Sequence, residues 1–149
     1  MARVTDVLAK KGDTPKLVTA SGDESVLDAA LRMNDARIGA VCVMDGPRVV
    51  GMFTERDILC RVVAAKLDPA TTKVAEVMTS PVYTCSPDAK AADCAALMSQ
   101  RKIRHLPVVE GDENGKLVGV ISTGDLMAME VHEKQAHIDD LHHYLHGRT

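Results

Sequence analysis

Aromatic residues are scarce in this chain. Its 149 residues include no Trp, one Phe and two Tyr: Phe53, Tyr83 and Tyr144. Proteins that bind single-stranded nucleic acid stack successive bases on aromatic side chains, so that class is excluded. A planar ligand would have to be gripped by aliphatic groups instead. Charge of one sign is also missing: 18 basic and 21 acidic residues leave a diffuse net charge of −3. Duplex binding needs a clustered basic face that displaces counterions, so a nucleic-acid partner is not expected. No apolar run approaches the roughly 18 residues that cross a bilayer, and no membrane association is expected. The opening stretch, Met1 to Gly12, carries Lys and no continuous apolar segment, unlike a secretory signal. The four cysteines (Cys42, Cys60, Cys85, Cys94) are scattered without a CxxC pair. They read as thiols in a reducing cytoplasm, with redox sensing by Cys60 or Cys85 as the alternative. What remains, 46% apolar and 26% charged residues without low-complexity bias, is enough for one core without disulfide or metal staples.

What the chain does have is a duplication. A shift of 65 aligns Val18–Asp45 with Tyr83–Glu110 and matches Thr19/Thr84, Ser21/Ser86, Asp23/Asp88, Asp28/Asp93, Ala30/Ala95, Met33/Met98, Ile38/Ile103 and Val43/Val108. Three extra residues in the second turn (GDENGK against DGPR) change the shift to 68. Val50-Gly51 then matches Val118-Gly119, Thr54 matches Ser122, and Asp57 matches Asp125. An insertion confined to a Gly-rich turn is what a genuine repeat tolerates.

Each copy predicts the same elements. A short extended segment (Lys16–Thr19, Val82–Cys85) leads into SGDESVLDAALRMNDA or SPDAKAADCAALMSQR, whose Val26, Ala30, Met33 and Ala91, Ala95, Met98 have helical spacing. Two apolar strands follow around a turn, and a second helix begins at Thr54 or Ser122. The expected fold class is α/β (α+β): two β-α-β-β-α repeats about a pseudo-two-fold axis, with a C-terminal helix. The boundaries are residues 4–70 for the first repeat, 71–131 for the second and 132–149 for a helical tail, all within one module. One copy alone offers too little core to be stable, so packing of the copies and two related crevices are expected.

The chemistry-bearing motif is Gly51–Asp57 (GMFTERD), which recurs at Gly119–Asp125 as GVISTGD. Thr-x-x-Asp at a strand-to-helix junction is the pattern of a capping box, in which hydroxyl and carboxylate satisfy backbone amides. Capping does not explain the glycine inside the preceding strand, which marks close approach of another backbone or a ligand. The same carboxylate could accept hydrogen bonds from vicinal hydroxyls such as those of ribose. The helix start and the Thr54 or Ser122 hydroxyl could donate to phosphate. Basic residues near the motif differ between copies. The second has Arg104-His105 ahead of Leu106-Pro107, suited to phosphate by the guanidinium fork. The first has Gly39-Ala40 there and Arg56 within the motif.

With both motifs and the segment IRHLPVVE in view, the chain resembles a pair of cystathionine-beta-synthase (CBS) domains, a Bateman module, over roughly residues 4 to 131. The resemblance implies a stand-alone regulatory module, not an enzyme, that needs no cofactor and binds an adenosine-containing ligand: AMP, ADP, ATP, NAD or S-adenosylmethionine. It implies that Asp57 and Asp125 hold ribose hydroxyls. Thr54, Ser122, Arg56, Arg104 and His105 would then approach phosphate, with Thr123 also among the ligand-binding residues. Val18, Thr19, Ile38, Ala40, Tyr83, Thr84 and Ile103 would line the adenine. The absence of a cation at Gly39-Ala40 makes the second site the better one for an AMP-like ligand. A homodimer and a regulated protein partner are expected. The rival reading is a ligand-independent interaction scaffold in which the motif only caps helices.

After the second motif, Val131, Ile138 and Leu145 recur every seven residues with Leu141 on the same stripe, which predicts one long docking helix. Five of the six His lie on it. His142 and His146 stand at i,i+4, but no firm acidic or Cys ligand accompanies them, so no metal is assigned.

Overall fold

A computed structural model describes residues 2–11, 17–111 and 115–130. The elements are α1 (Val4–Lys10), β1 (Thr19–Ser21), α2 (Val26–Ala36), β2 (Ala40–Asp45), β3 (Arg48–Thr54), α3 (Glu55–Asp57, continued by a π-helical stretch Ile58–Val63), α4 (Val74–Val77), α5 (Ala91–Arg101), β4 (His105–Glu110), β5 (Lys116–Ser122) and α6 (123–130). No helix among the described residues is long and apolar enough to cross a membrane. The expected docking helix with its histidines lies, beyond residue 130, outside the described residues.

The repeats appear as expected in their main elements. β1 runs parallel to β2 and β2 antiparallel to β3, with Val43 opposite Gly51 and a bulge between Val43 and Met44. The hairpin turns at Gly46, whose φ of +61° suits a residue without Cβ. α2 and α5 occupy equivalent positions and end alike, on Arg37 and Lys102, each left-handed at φ 56°. Beyond each, the amide of Ile38 or Ile103 donates to the carbonyl of Met33 or Met98 at 3.0 Å. That closes the helix end by satisfying a carbonyl with no partner inside the helix.

Several details differ from expectation. The buried stripe of α2 is Val26, Ala29 and Met33, and that of α5 is Cys94 and Met98. Ala30 and Ala95 stand one residue off the stripe, because a 3.6-residue period accepts either i+3 or i+4. Only the first repeat has a full third strand. In the second, Cys85 makes a single parallel bridge to Val108. The cause is Pro107, which stands where the first repeat has Cys42. Cys85 still donates to the Pro107 carbonyl at 3.0 Å and accepts from Val109 at 2.8 Å. The next bond of a parallel ladder would need the amide hydrogen that proline lacks.

The chain forms two compact units, each drawing on more than one stretch of the sequence. Among the described residues, one holds 2–11, 87–106 and 120–130; the other holds 17–86, 107–111 and 115–119. The second is built on β1–β3, with a core of Ala20, Val26, Ala29, Met33, Val41, Val43, Phe53, Val62, Val74 and Val77. Phe53 is wholly buried and alone contributes about 1.5–3 kcal/mol by leaving water.

Two short helices absent from the sequence reading extend the duplication. RVTDV and KVAEV (Arg3–Val7, Lys73–Val77) match at a shift of 70, and both valines of each are buried. In the β1–β3 unit, Val74 donates to Glu24 (2.9 Å), Ala75 to Gly22 (3.0 Å), and Val26 to Thr72 (2.9 Å). In the other unit Val4 donates to Ala89 (2.9 Å), Thr5 to Pro87 (3.1 Å), and Ala91 to Ala2 (3.0 Å). The segment between the repeats thus docks on the first repeat's helix, and the segment at the start of the chain docks on the second repeat's helix.

Candidate functional site

Each motif sits where a strand runs directly into a helix. Thr54 pairs with Ala40 across β3 and β2, and its hydroxyl accepts from the Asp57 amide at 3.1 Å. The Asp57 carboxylate accepts in return from the Thr54 amide at 3.0 Å. In the second copy the Ser122 hydroxyl accepts from Asp125 at 3.0 Å, and Asp125 accepts from the Ser122 amide at 2.8 Å. Both motifs are therefore capping boxes. The first helical amide is also occupied in both: Glu55 donates to the Gly39 carbonyl and Thr123 to the Arg104 carbonyl, each at 2.9 Å. Two of the amides that a helix start can offer an anion are therefore already bonded within the protein.

The carboxylates differ in what covers them. Asp57 is 7% exposed. Besides its capping bonds, its second oxygen accepts from the Thr79 hydroxyl at 3.2 Å and lies 3.7 Å from Arg61 Nε. The Thr79 backbone exchanges bonds of 2.8 and 2.9 Å with Met52. This packing explains the strand glycine: a Cβ on Gly51 would lie 3.1 Å from the Thr79 carbonyl oxygen and closer still to the Met78 sulfur. The close approach marked by Gly51 is that of another backbone. Asp57 thus does not face an open groove.

Asp125 is less enclosed, its side chain 22% exposed. Its Oδ2 lies 3.0 Å from the ammonium of Lys11, which also donates to the Val120 carbonyl at 2.8 Å. Arg104 is exposed, Ser122, Thr123, Ile103 and His105 are half-buried, and all belong with Asp125 to one unit. In the other unit, Arg56 is exposed beside Asp57, Ile38 is 36% exposed, and Val18 packs against the core. Thr19 is held in β1 opposite Cys42; its carbonyl accepts from Arg32 at 2.7 Å, and Arg32 in turn forks onto Glu24. That fork keeps the Arg32 guanidinium more basic than usual. Tyr83 and Thr84 are exposed in that same unit. Sequence reading did not single out Thr79, Arg61 or Lys11. The shift of 70, read from the valine pairs of α1 and α4, would have drawn attention to the segments that carry Lys11 and Thr79.

None of the four cysteines is in a disulfide. Cys42 is fully buried with its sulfur 3.6 Å from that of Met52, and burial pushes the thiol up to about 12. No group of three or more His, Cys, Asp or Glu among the described residues could hold a metal ion.

With a duplicated helix, hairpin and strand-to-helix capping box in place, comparison with known proteins is decisive. The family model for the CBS domain matches twice, over residues 4–64 and 74–131. This chain belongs to the CBS-domain family. A relative from Bacillus subtilis, the CBS domain-containing protein YhcV, is 34% identical over 83% of this chain and 85% of its own. The mitochondrial CBS domain-containing protein CBSX3 of Arabidopsis thaliana is 29% identical over 97% of this chain and 72% of its own. Among solved structures, a signal-transduction protein with CBS domains from Burkholderia ambifaria superposes with a TM-score of 0.79 at 35% identity, covering 87% of this chain and 94% of that one. The CBS domain pair of protein MJ0100, solved with 5′-methylthioadenosine and S-adenosyl-L-methionine, has a TM-score of 0.76 at 25% identity, over 89% and 98%. The chain is thus a CBS-domain pair.

Proposed function

We propose that this protein is a sensor of an adenosine-containing ligand, that it catalyses no reaction, and that the second repeat carries the responsive site. The observation that carries the reading is the contrast between the two motif carboxylates. Asp57 is spent on internal bonds, whereas Asp125 keeps part of its surface open and is covered by one flexible side chain. Asp125 would accept the ribose hydroxyls. Ser122, Arg104 and His105 would meet phosphate, with Thr123 and Ile103 in the same unit. The charge pattern suits a phosphorylated nucleotide such as AMP, ATP or NAD, since Arg104 is an exposed guanidinium and the first repeat has Gly39 in its place. Val18, Thr19, Ile38, Ala40, Thr54, Arg56 and Asp57 would form the weaker, less charged counterpart. Occupancy would favour one arrangement of the repeats, which a second copy or a regulated partner reads. Thiols held out of disulfides fit a reducing compartment such as the cytoplasm.

The scaffold reading has its own support, because both motifs make complete capping boxes. A thermal-shift panel of AMP, ADP, ATP, NAD, NADH and S-adenosylmethionine separates the two. A ligand at a hundred times its Kd adds about 2.7 kcal/mol, several degrees of Tm for a chain of this size. Asp125→Ala is expected to abolish that shift while the chain stays folded. A flat panel for the unsubstituted protein favours the scaffold.

A further inference from the structure

The covers over the two carboxylates are equivalent in position and different in kind. In the first repeat, Thr79 lies over the motif through its backbone amide on the Met52 carbonyl and its hydroxyl on Asp57. Position 120 corresponds to 52 and position 125 to 57 at the motif shift of 68. In the second repeat these same two acceptors, the Val120 carbonyl and the Asp125 carboxylate, are both taken by one group, the Lys11 ammonium, at 2.8 and 3.0 Å. Thr79 is tied to β3 by two backbone hydrogen bonds and cannot leave without opening that edge. Lys11 reaches its acceptors only through its side chain, on a stem of four methylenes with free rotation. The pair is partly solvated, 33% exposed on the lysine side, and an ion pair so placed is readily exchanged.

We infer that Lys11 is a specificity-determining residue of the second-repeat site, releasing Asp125 to a sugar diol and then pairing with an anionic group on the same ligand. This rests on the adenosine-sensor reading above. A diol that takes the Asp125 oxygens strips the ammonium of its counter-charge. An uncharged nucleoside returns nothing for that loss. A 5′-phosphate, one sugar ring away, supplies a new anion within the sweep of the lysine stem, and the hydrogen bond so formed is charge-assisted. The ligand class selected is therefore phosphorylated adenosine rather than neutral adenosine derivatives. Arg104 adds an exposed charge, but no ion pair joins its side chain to Asp125. Lys11 alone couples release of the carboxylate to capture of the anion.

The experiment is calorimetric titration of AMP and of 5′-methylthioadenosine into the full chain and its Lys11→Met, Lys11→Arg and Asp125→Ala variants, with thermal melts as a check on folding. Lys11→Met is expected to weaken AMP about tenfold or more, as loss of a charge-assisted hydrogen bond implies. It should leave 5′-methylthioadenosine unchanged or tighter, because the competing cation has gone. Lys11→Arg should retain most of the AMP preference. Equal weakening of both ligands, or no change in their ratio, overturns the role of Lys11 even if Asp125→Ala abolishes binding and so upholds the sensor. If the unsubstituted chain binds neither ligand, this inference fails, and the sensor reading fails with it only where the thermal-shift panel is also flat.

Discussion

The two repeats answer the same physical problem with different materials. Each must cover the edge of a strand-to-helix junction and satisfy a carboxylate there. The first does so with backbone and a short hydroxyl side chain, Thr79, aided by Arg61, and buries the group. The second uses a long cation, Lys11, and leaves the carboxylate partly wet. The first also completes a three-stranded sheet, while the second stops at two strands and a bridge because of Pro107. The lesson is a division of labour: the first copy is the better built, and the second retains groups that can change partners.

The alkaline limb of stability gives the largest way to test that contrast. Cys42 sits in β2, wholly buried, where the second repeat has an untitratable proline. Its thiol holds its proton up to about 12 in the folded chain against an ordinary value of 9.0. The unfolded chain therefore loses that proton first, and folding weakens as pH rises. The contribution of the thiol is intact below pH 9 and declines by about 1.4 kcal/mol per pH unit until the folded group also ionises. Urea midpoints from pH 8 to 11 should fall more steeply for the unsubstituted chain than for Cys42→Ala. Parallel slopes would mean that β2 is not sealed.

Next in size is the pair Asp57→Ala and Asp125→Ala. Removing Asp57 takes the cap from the part-buried Thr54 amide, leaves the exposed Thr79 to water and empties a buried position, and should cost about 1.5–3 kcal/mol. Removing Asp125 costs a cap and a solvated ion pair, about 1 kcal/mol. Equal losses in denaturant titration would mean that the two carboxylates are covered alike. The smallest effect should be the same in both copies. Arg37→Gly and Lys102→Gly each relieve a left-handed residue at a helix end, with an expected gain of about 0.5–1 kcal/mol. A gain in one copy alone would show that the two helix ends are not equivalent in solution.

Much of this was legible in the residues. Because side-chain periodicity follows backbone geometry, α2, α5 and the two hairpins could be placed from apolar spacing and turn residues alone. Thr54/Asp57 and Ser122/Asp125 could be marked because a duplicated hydroxyl-x-x-carboxylate stands out against a drifting background. The helices α1 and α4 escaped notice because four to seven residues give too few turns to show a period. Their valines at i and i+3, repeated at a shift of 70, were the available signal.

Local sequence, then, determined the elements, the caps and the identity of the two carboxylates, since each depends on neighbours a few positions apart. Only the tertiary structure decided which carboxylate is closed and which can be opened. That choice rests on residues 22 and 114 positions away, Thr79 over Asp57 and Lys11 over Asp125, which chain folding alone brings to hydrogen-bonding distance.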